Sequence, residues 1–274
     1  MYKSITPTVL ALACFIPNAA TADTFNTEIR LSLADNDSYS VSLAPGYRYY
    51  FSPVDDSTGP LEMAGFLNQA SSIQVGFKQT DYPSSSSYNN VLSWSAYTDF
   101  VFQNGVNLGL GGVKEAWNYD ASQNKPVLDA STTFIDIGYY LDQFGYINLG
   151  YEHMSSSEDQ KMDTVTMMGL NLIPLSAGRH LKLKAEVSKS NHINSLWNNQ
   201  SFELDTTYYP QHNLGLSAGI DYTLYNKQNN RVTYSLGTKY FFDTNLYAAI
   251  NMDMVMQGSE NWSNKQTINV GARF

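Results

Sequence analysis

A chain of 274 residues with 15% charged residues and a net charge of −9 is long enough for one large domain, and its acidity speaks against nucleic acid as a partner, because phosphate recognition needs a basic surface. The single cysteine, Cys14, falls in the N-terminal leader, which excludes disulfide and thiol chemistry from the rest. Beyond the leader no stretch has the roughly 20 apolar residues of a membrane helix, so a membrane-spanning form of this chain is a closed sheet, which satisfies every backbone donor and acceptor in lipid.

The chain opens with Lys3, an apolar run Val9-Leu10-Ala11-Leu12-Ala13-Cys14-Phe15-Ile16 and the small-x-small step Ala20-Thr21-Ala22. This order predicts a secretory signal peptide over residues 1–22, too short to span a bilayer, with the mature domain over residues 23–274. Acylation of Cys14 is the weaker alternative, since Ala11 stands three residues before it where leucine is expected.

Aromatic clusters then recur just before short breaks, at Tyr49-Tyr50-Phe51, Phe100-Val101-Phe102, Tyr139-Tyr140, Tyr208-Tyr209, Tyr240-Phe241-Phe242 and finally Phe274. Each fits the periplasmic end of a descending strand, with Leu172-Ile173-Pro174 in place of one missing cluster. The 20 tyrosines suit aromatic girdles at membrane interfaces. Seven such ends predict an all-β fold, a transmembrane antiparallel β-barrel of about 14 strands, with 12 or 16 as the neighbouring even numbers. The strands are expected near 25–34, 39–52, 71–80, 90–102, 106–119, 127–142, 145–155, 162–174, 180–189, 197–209, 213–225, 231–242, 246–257 and 262–274.

Alternation is clearest late in the chain. Leu214, Leu216, Ala218, Ile220, Tyr222 and Leu224 oppose Gly215, Ser217, Gly219, Asp221 and Thr223, and the next two strands divide the same way. In the last strand Ile268, Val270, Ala272 and Phe274 share the dry face. Met162 to Leu175 is ambiguous, because Met167 and Met168 are adjacent and either register is arguable. Breaks at Gln103-Asn104-Gly105, Asp142-Gln143-Phe144, Pro210-Gln211-His212 and Asp243-Thr244-Asn245 read as tight periplasmic turns. Those at Ser84 to Ser87, Ser155 to Gln160 and Gly258 to Asn261 are only modestly longer, so no outer loop is expected to block the lumen. The one long connection, 52–70, falls by strand parity at the periplasmic mouth.

That connection carries a resemblance. Tyr49-Tyr50-Phe51-Ser52-Pro53-Val54 followed by Gly59-Pro60-Leu61-Glu62-Met63-Ala64-Gly65-Phe66-Leu67-Asn68-Gln69-Ala70-Ser71-Ser72 resembles the signature of a general porin family of gammaproteobacterial outer membranes. With the leader and the aromatic C-terminal strand, the similar layout covers essentially the whole mature chain. Members carry an acidic residue and then alanine after the Pro-Leu step; Glu62 fits, while Met63 intervenes before Ala64. The resemblance implies a bacterial outer-membrane barrel with pore activity and transfers no catalytic residues. The terminal Phe274 is similar to the signal by which the barrel assembly machinery recognises its clients. Leu61 to Gln69 reads as a short amphipathic helix over part of the periplasmic opening, and an ordered turn with no role in permeation fits as well.

Inward positions on this register carry both signs of charge. Arg48, Lys78, Asp99, Asp136, Lys182, Lys184, Asp221, Arg231, Lys239 and Asp253 are the candidate pore-lining residues, with Glu28, Arg30, Glu152, Glu186, Glu203, Asp205, Lys265 and Arg273 on the same face. Facing charges make a transverse field that filters small polar solutes. The expectation is passive diffusion of small hydrophilic solutes and ions through a narrow lumen, with outer-membrane lipids around the barrel. Salt-bridge ladders that fill the barrel are the competing reading. His180, His192 and His212 lack metal-ligand spacing, and no cofactor or metal is expected.

One motif points to another class. Tyr151-Glu152-His153-Met154-Ser155-Ser156-Ser157 has the His-x-Ser spacing found in barrel lipases and deacylases of the outer membrane. Residues two apart on a strand share a face, so His153 could serve as general base for Ser155 on the side of Ile147, Leu149 and Tyr151, where lipid is accessible. Ser156-Ser157 replaces the Asn-Gly common in the barrel phospholipase, and Asp159 or Asp163 would have to supply a third member. A lipid hydrolase is therefore the alternative to a pore.

Overall fold

Apolar side chains at every second position give each segment one dry face, and in this computed structural model 14 such strands close into one antiparallel barrel. The structure describes residues 24–36, 40–82, 88–119, 128–157, 160–192, 198–226, 229–258 and 261–274. The expected leader lies outside the described residues. The strands are β1 (Thr24–Asn36), β2 (Ser40–Asp55), β3 (Ser72–Asp81), β4 (Tyr88–Val101), β5 (Val106–Tyr119), β6 (Leu128–Tyr140) and β7 (Gly145–Ser156). They continue as β8 (Lys161–Pro174), β9 (His180–His192), β10 (Asn199–Gln211), β11 (Leu214–Tyr225), β12 (Arg231–Phe241), β13 (Leu246–Gln257) and β14 (Asn261–Arg273). Each strand pairs with its chain neighbours, and β1 closes on β14. All 14 expected segments are present, with ends displaced by at most three residues.

The larger displacements have a physical reason. β2 runs on to Asp55 because, past a bulge near Phe25, Val54 pairs with Phe25 and Asp55 with Thr24. Pro53 is tolerated there because β3 has already left β2 after the Tyr50–Ser72 pair, so no partner needs its missing N–H. Pro210 likewise stays within β10, at a register shift against β11.

The outer surface is the dry one. Ile137, Leu149, Met167 and Ile250 stand more than half exposed in the isolated chain, part of an apolar belt that in water would demand a partner. Around a barrel, lipid supplies that cover. The ambiguity in β8 resolves as Val165 and Met167 outward, with Met168, Leu170 and Leu172 inward. The short turns 102–105, 141–144, 212–213 and 242–245 lie at the end of the barrel where β1 starts and β14 finishes, the same end as the long connection between β2 and β3.

Among the described residues the clusters of buried hydrophobic side chains sit at that end. The adjacent aromatics of each cluster split: Tyr49, Phe51, Tyr139, Tyr240 and Phe242 face out, while Tyr50, Tyr209 and Phe241 are buried inside. Leu172, fully buried, takes the inward place where the aromatic pattern skips. These inward groups form three small clusters around the connection between β2 and β3.

Candidate functional site

That connection is built to enter the lumen. Gly59 adopts a left-handed φ of 74°, open to glycine at little cost, and turns the chain inward. A 3-10 turn over Leu61–Met63 and a four-residue helix, α1 (Ala64–Leu67), follow. A helix this short is not stable alone, so its position is set by what it touches. The N–H of Leu61 donates to the His212 carbonyl at 2.8 Å, and its carbonyl accepts from Arg273 Nη1 at 2.8 Å. Glu62 accepts from the Tyr209 hydroxyl at 3.3 Å and lies 4.0 Å from Lys182 Nζ. Gly65 sits so close to Tyr50 that a Cβ would fall 2.9 Å from its hydroxyl oxygen. Phe66 packs against Tyr140 and Tyr146, ring centroids 5.4 and 6.4 Å away. Asn68 Nδ2 donates to the carbonyls of Asp55 and Ala64 at 2.6 and 2.8 Å, tying the segment back to the end of β2. Contacts on β2, β6, β7, β9, β10 and β14 place the segment across the mouth, not along one wall. It is a plug.

Arg273 is the anchor. Its side chain is 3% exposed, with Nε 3.1 Å from Glu28 Oε2 and the guanidinium 4.6 and 4.7 Å from the rings of Phe25 and Phe241. Glu28 also accepts from the Tyr247 hydroxyl at 2.9 Å. An ion pair is tolerated out of water when its remaining donors and acceptors are used in this way. Glu28 and Arg273 are also register partners at the end of the β1–β14 ladder, so one pair bridges the seam and holds the plug.

Beyond the plug the lumen keeps space. A cavity of about 730 Å³ is lined by Arg30, Arg48, Asp99, Lys182, Asp205, Lys239, Asp253 and Lys265 among others. A second, of about 560 Å³, shares Phe66, Tyr97, Asp99 and Tyr140 with it and adds Asp136, Tyr146 and Glu152. Around the circumference the charges separate. Among the described residues the inward charges of β4 to β8 are Asp99, Glu115, Asp136 and Glu152, all acidic. The rest of the ring is mixed: Arg30 and Arg48 on β1 and β2, Lys239 on β12, and Lys265 and Arg273 on β14 stand among the carboxylates Glu28, Asp205 and Asp253, so the cations gather on this side without being alone there.

The acidic wall is wired by neutral groups. Asp136 accepts from Asn148 Nδ2 at 2.8 Å and from the Tyr97 hydroxyl at 3.3 Å. Asn107 donates to Asp99 and accepts from the Tyr146 hydroxyl at 2.8 Å. Gly109 makes room for this, since a Cβ there would overlap both the Asp136 carboxylate and the Tyr97 hydroxyl.

Of the ten sequence-predicted lining residues, Arg48, Asp99, Lys182, Lys239 and Asp253 border the larger cavity and Asp136 the smaller. Arg48 is held by Gln74 and the Tyr50 hydroxyl, and Lys239 lies 4.2 Å over the Tyr247 ring. Asp253 pairs with Lys265 at 3.8 Å. The rest stand on the inner wall away from both cavities. Lys184 is tied to Glu203 at 2.9 Å and Glu186 at 3.1 Å, Arg231 to Asp221 at 3.8 Å, and Lys78 is exposed to the lumen. Sequence reasoning named Glu62 only as a match to the family signature and did not single out the inward tyrosines or the anchoring role of Arg273; the doubled aromatics were the available signal, because one residue of any adjacent pair on a strand must face in. The His153 motif gains a partner in Asp163, whose Oδ1 is 2.8 Å from His153 Nδ1, while Asp159 is outside the described residues. No three His, Cys, Asp or Glu residues among those described converge as metal ligands.

A family model described as "Putative general bacterial porin" matches residues 1–274. No curated protein matches. Among solved structures, Omp33 of Acinetobacter baumannii aligns with a TM-score of 0.64 at 16% identity, over 92% of this chain and 99% of that one. A bacterial polysaccharide outer membrane secretin aligns with a TM-score of 0.56 at 9% identity, over 91% and 98% of the two chains. CdiB from Acinetobacter baumannii gives 0.52 at 10% identity, over 90% of this chain and 60% of its own. At these identities the structural likeness speaks for the fold alone, a closed antiparallel β-barrel.

Proposed function

Because the chain belongs to the general bacterial porin family, and is thus a porin of the outer membrane, we propose that it passes small hydrophilic solutes and ions by passive diffusion through a lumen narrowed at its periplasmic mouth by residues 56–71. The observation that carries this reading is the cavity of about 730 Å³ that remains inside the closed barrel, bordered by charges of both signs, even though several inward charges are already paired. A lumen filled by salt bridges would leave no such space. Its transverse field orients water and dipolar solutes, and the plug limits their size. Arg48, Asp99, Asp136, Lys182, Lys239 and Asp253 are the residues assigned to the path, with Lys78, Lys184, Asp221 and Arg231 setting the potential around it.

Residues 1–22 act as the export leader, and Phe274 is read by the barrel assembly machinery. Support for the latter is the aromatic C-terminal strand, whose last residue exchanges backbone hydrogen bonds with Thr27 at the β1–β14 seam. Single-channel recording of purified, refolded protein in a planar bilayer under a salt gradient tests the pore. Discrete conductance steps with a reproducible zero-current potential are expected. A correctly folded but silent barrel would overturn the reading.

A further inference from the structure

The outer rim of β7 and β8 carries an arrangement that permeation does not use. Asp163 stands directly opposite His153 in the strand register, with its Oδ1 2.8 Å from His153 Nδ1. An ionised carboxylate only accepts, so Nδ1 carries the proton, and in the neutral imidazole Nε2 is then the nitrogen with the free lone pair. The same carboxylate oxygen accepts from the Tyr151 hydroxyl at 2.7 Å, which fixes it further. Ser155 follows His153 on the same face, about 7 Å along the strand. Its register partners are Lys161 on β8 and Ser131 on β6. The His153 and Asp163 side chains are 39% and 50% exposed, on the side of the barrel that meets lipid.

A second observation lies on the same strands. Below this rim the outer face of β6 to β9 forms an apolar furrow of about 490 Å³, lined by Ile137, Ile147, Leu149, Met167 and Val187. Gly169 opens it, since a Cβ there would meet nothing within 4 Å. Tyr151 and Val165, paired and outward, connect the furrow to His153. An acyl chain lying in the furrow would present its ester at the polar rim.

We propose that this rim hydrolyses acyl esters of membrane lipids, with Ser155 as nucleophile, His153 as general base and Asp163 as the residue that positions His153. Ser155 Oγ bonds to the ester carbonyl carbon while His153 Nε2 takes the hydroxyl proton. The tetrahedral intermediate collapses, the bond to the lipid alcohol breaks, and the alcohol leaves with the proton from His153. Water then adds to the acyl-serine through the same base, releasing the fatty acid and returning the proton to Ser155. The Lys161 ammonium, beside Ser155 in the register, is placed to offset charge on the carbonyl oxygen. Ser155 and His153 are not hydrogen-bonded in this structure, a contact that commonly tightens only with substrate in place.

The test uses the refolded full barrel in vesicles of phosphatidylethanolamine and phosphatidylglycerol, and in the same vesicles carrying lipopolysaccharide. Free fatty acid is measured alongside labelling by a fluorophosphonate, with the labelled peptide mapped. A label on Ser155 with fatty acid release is expected, and the responding vesicle identifies the lipid class. Ser155→Ala should abolish both while keeping the heat-modifiable migration of a folded barrel. Asp163→Asn should lower kcat by about 100-fold or more with KM little changed, and Asp163→Glu should recover part of the loss. A conducting wild-type barrel that takes no label and releases no fatty acid from either vesicle would overturn the proposal, as would release that survives Ser155→Ala. Conductance measured on the same preparation keeps this outcome separate from the pore reading.

Discussion

Arg273 concentrates several contacts in one side chain: the ion pair with Glu28, the hydrogen bond to the Leu61 carbonyl and the stack on Phe25 and Phe241. Arg273→Ala would take from Glu28 its ion-pair partner, leaving Lys239, Arg48 and the Tyr247 hydroxyl around it, and would leave an acceptor on the plug unpaired. Breaking a buried pair from one side costs about 3–5 kcal/mol when the partner is left with no other cation; with Lys239 and Arg48 still near Glu28, a drop toward the lower end of that range is expected in urea unfolding of the detergent-solubilised barrel. Arg273→Lys should recover little, because an ammonium lacks both the planar stack and the fork of donors. Lys182 works differently, facing the cavity 4.0 Å from Glu62. Lys182→Glu removes a cation at the narrow level and places like charges together, so the zero-current potential under a salt gradient should move toward cation selectivity. An unchanged potential would remove Lys182 from the path. The sequence marks both side chains as inward by parity. It does not show that Arg273 reaches Leu61, because that contact joins residues 212 positions apart through a plug whose path no local pattern encodes.

The plug is the element whose removal should change transport most. It is held by three separate aromatic and aliphatic clusters and by polar ties to strands on several sides, so it narrows the mouth as a fixed obstacle. Replacing residues 59–69 with a short Gly-Ser link should raise single-channel conductance several-fold and lower the unfolding temperature, since Tyr50, Leu172, Tyr209 and Phe241 lose their cover. Conductance that stayed the same would place the narrow point elsewhere. A milder probe is Gly65→Val, whose branched side chain would press on the Tyr50 ring; overpacking of this kind costs about 1–3 kcal/mol and should appear in the same unfolding measurement. Strand existence was legible because a sheet with one face in lipid enforces a strict two-residue period. The helical character of Leu61 to Gln69 was legible too, as a shorter turn than expected. Pro53 and Pro210 misled the strand ends, because proline is excluded from a strand only where a neighbour needs its N–H.

At the scale of the whole barrel the decisive property is how charge is distributed around the ring. The composition gives a net charge of −9 and the alternation says which charges face in. Neither gives their angular positions, which follow only from the order in which 14 strands close. Closure sets Asp99, Glu115, Asp136 and Glu152 on one wall and brings Arg30, Arg48 and Lys239 across from them, so the field runs across the lumen. Neutralising two of these four carboxylates with Asp136→Asn and Glu152→Gln keeps the side-chain shapes and weakens the acidic wall, with Asp99 and Glu115 still in place. Selectivity should then shift toward anions. The size of that shift should depend on salt, because the Debye length falls from about 10 Å in 0.1 M salt to about 3 Å in 1 M. If the walls act through their field across a water-filled lumen, the difference between variant and wild type is large in dilute salt and nearly gone in concentrated salt. A difference that persists in 1 M salt would mean that permeating ions touch these carboxylates directly, in a passage narrower than two opposed fields require.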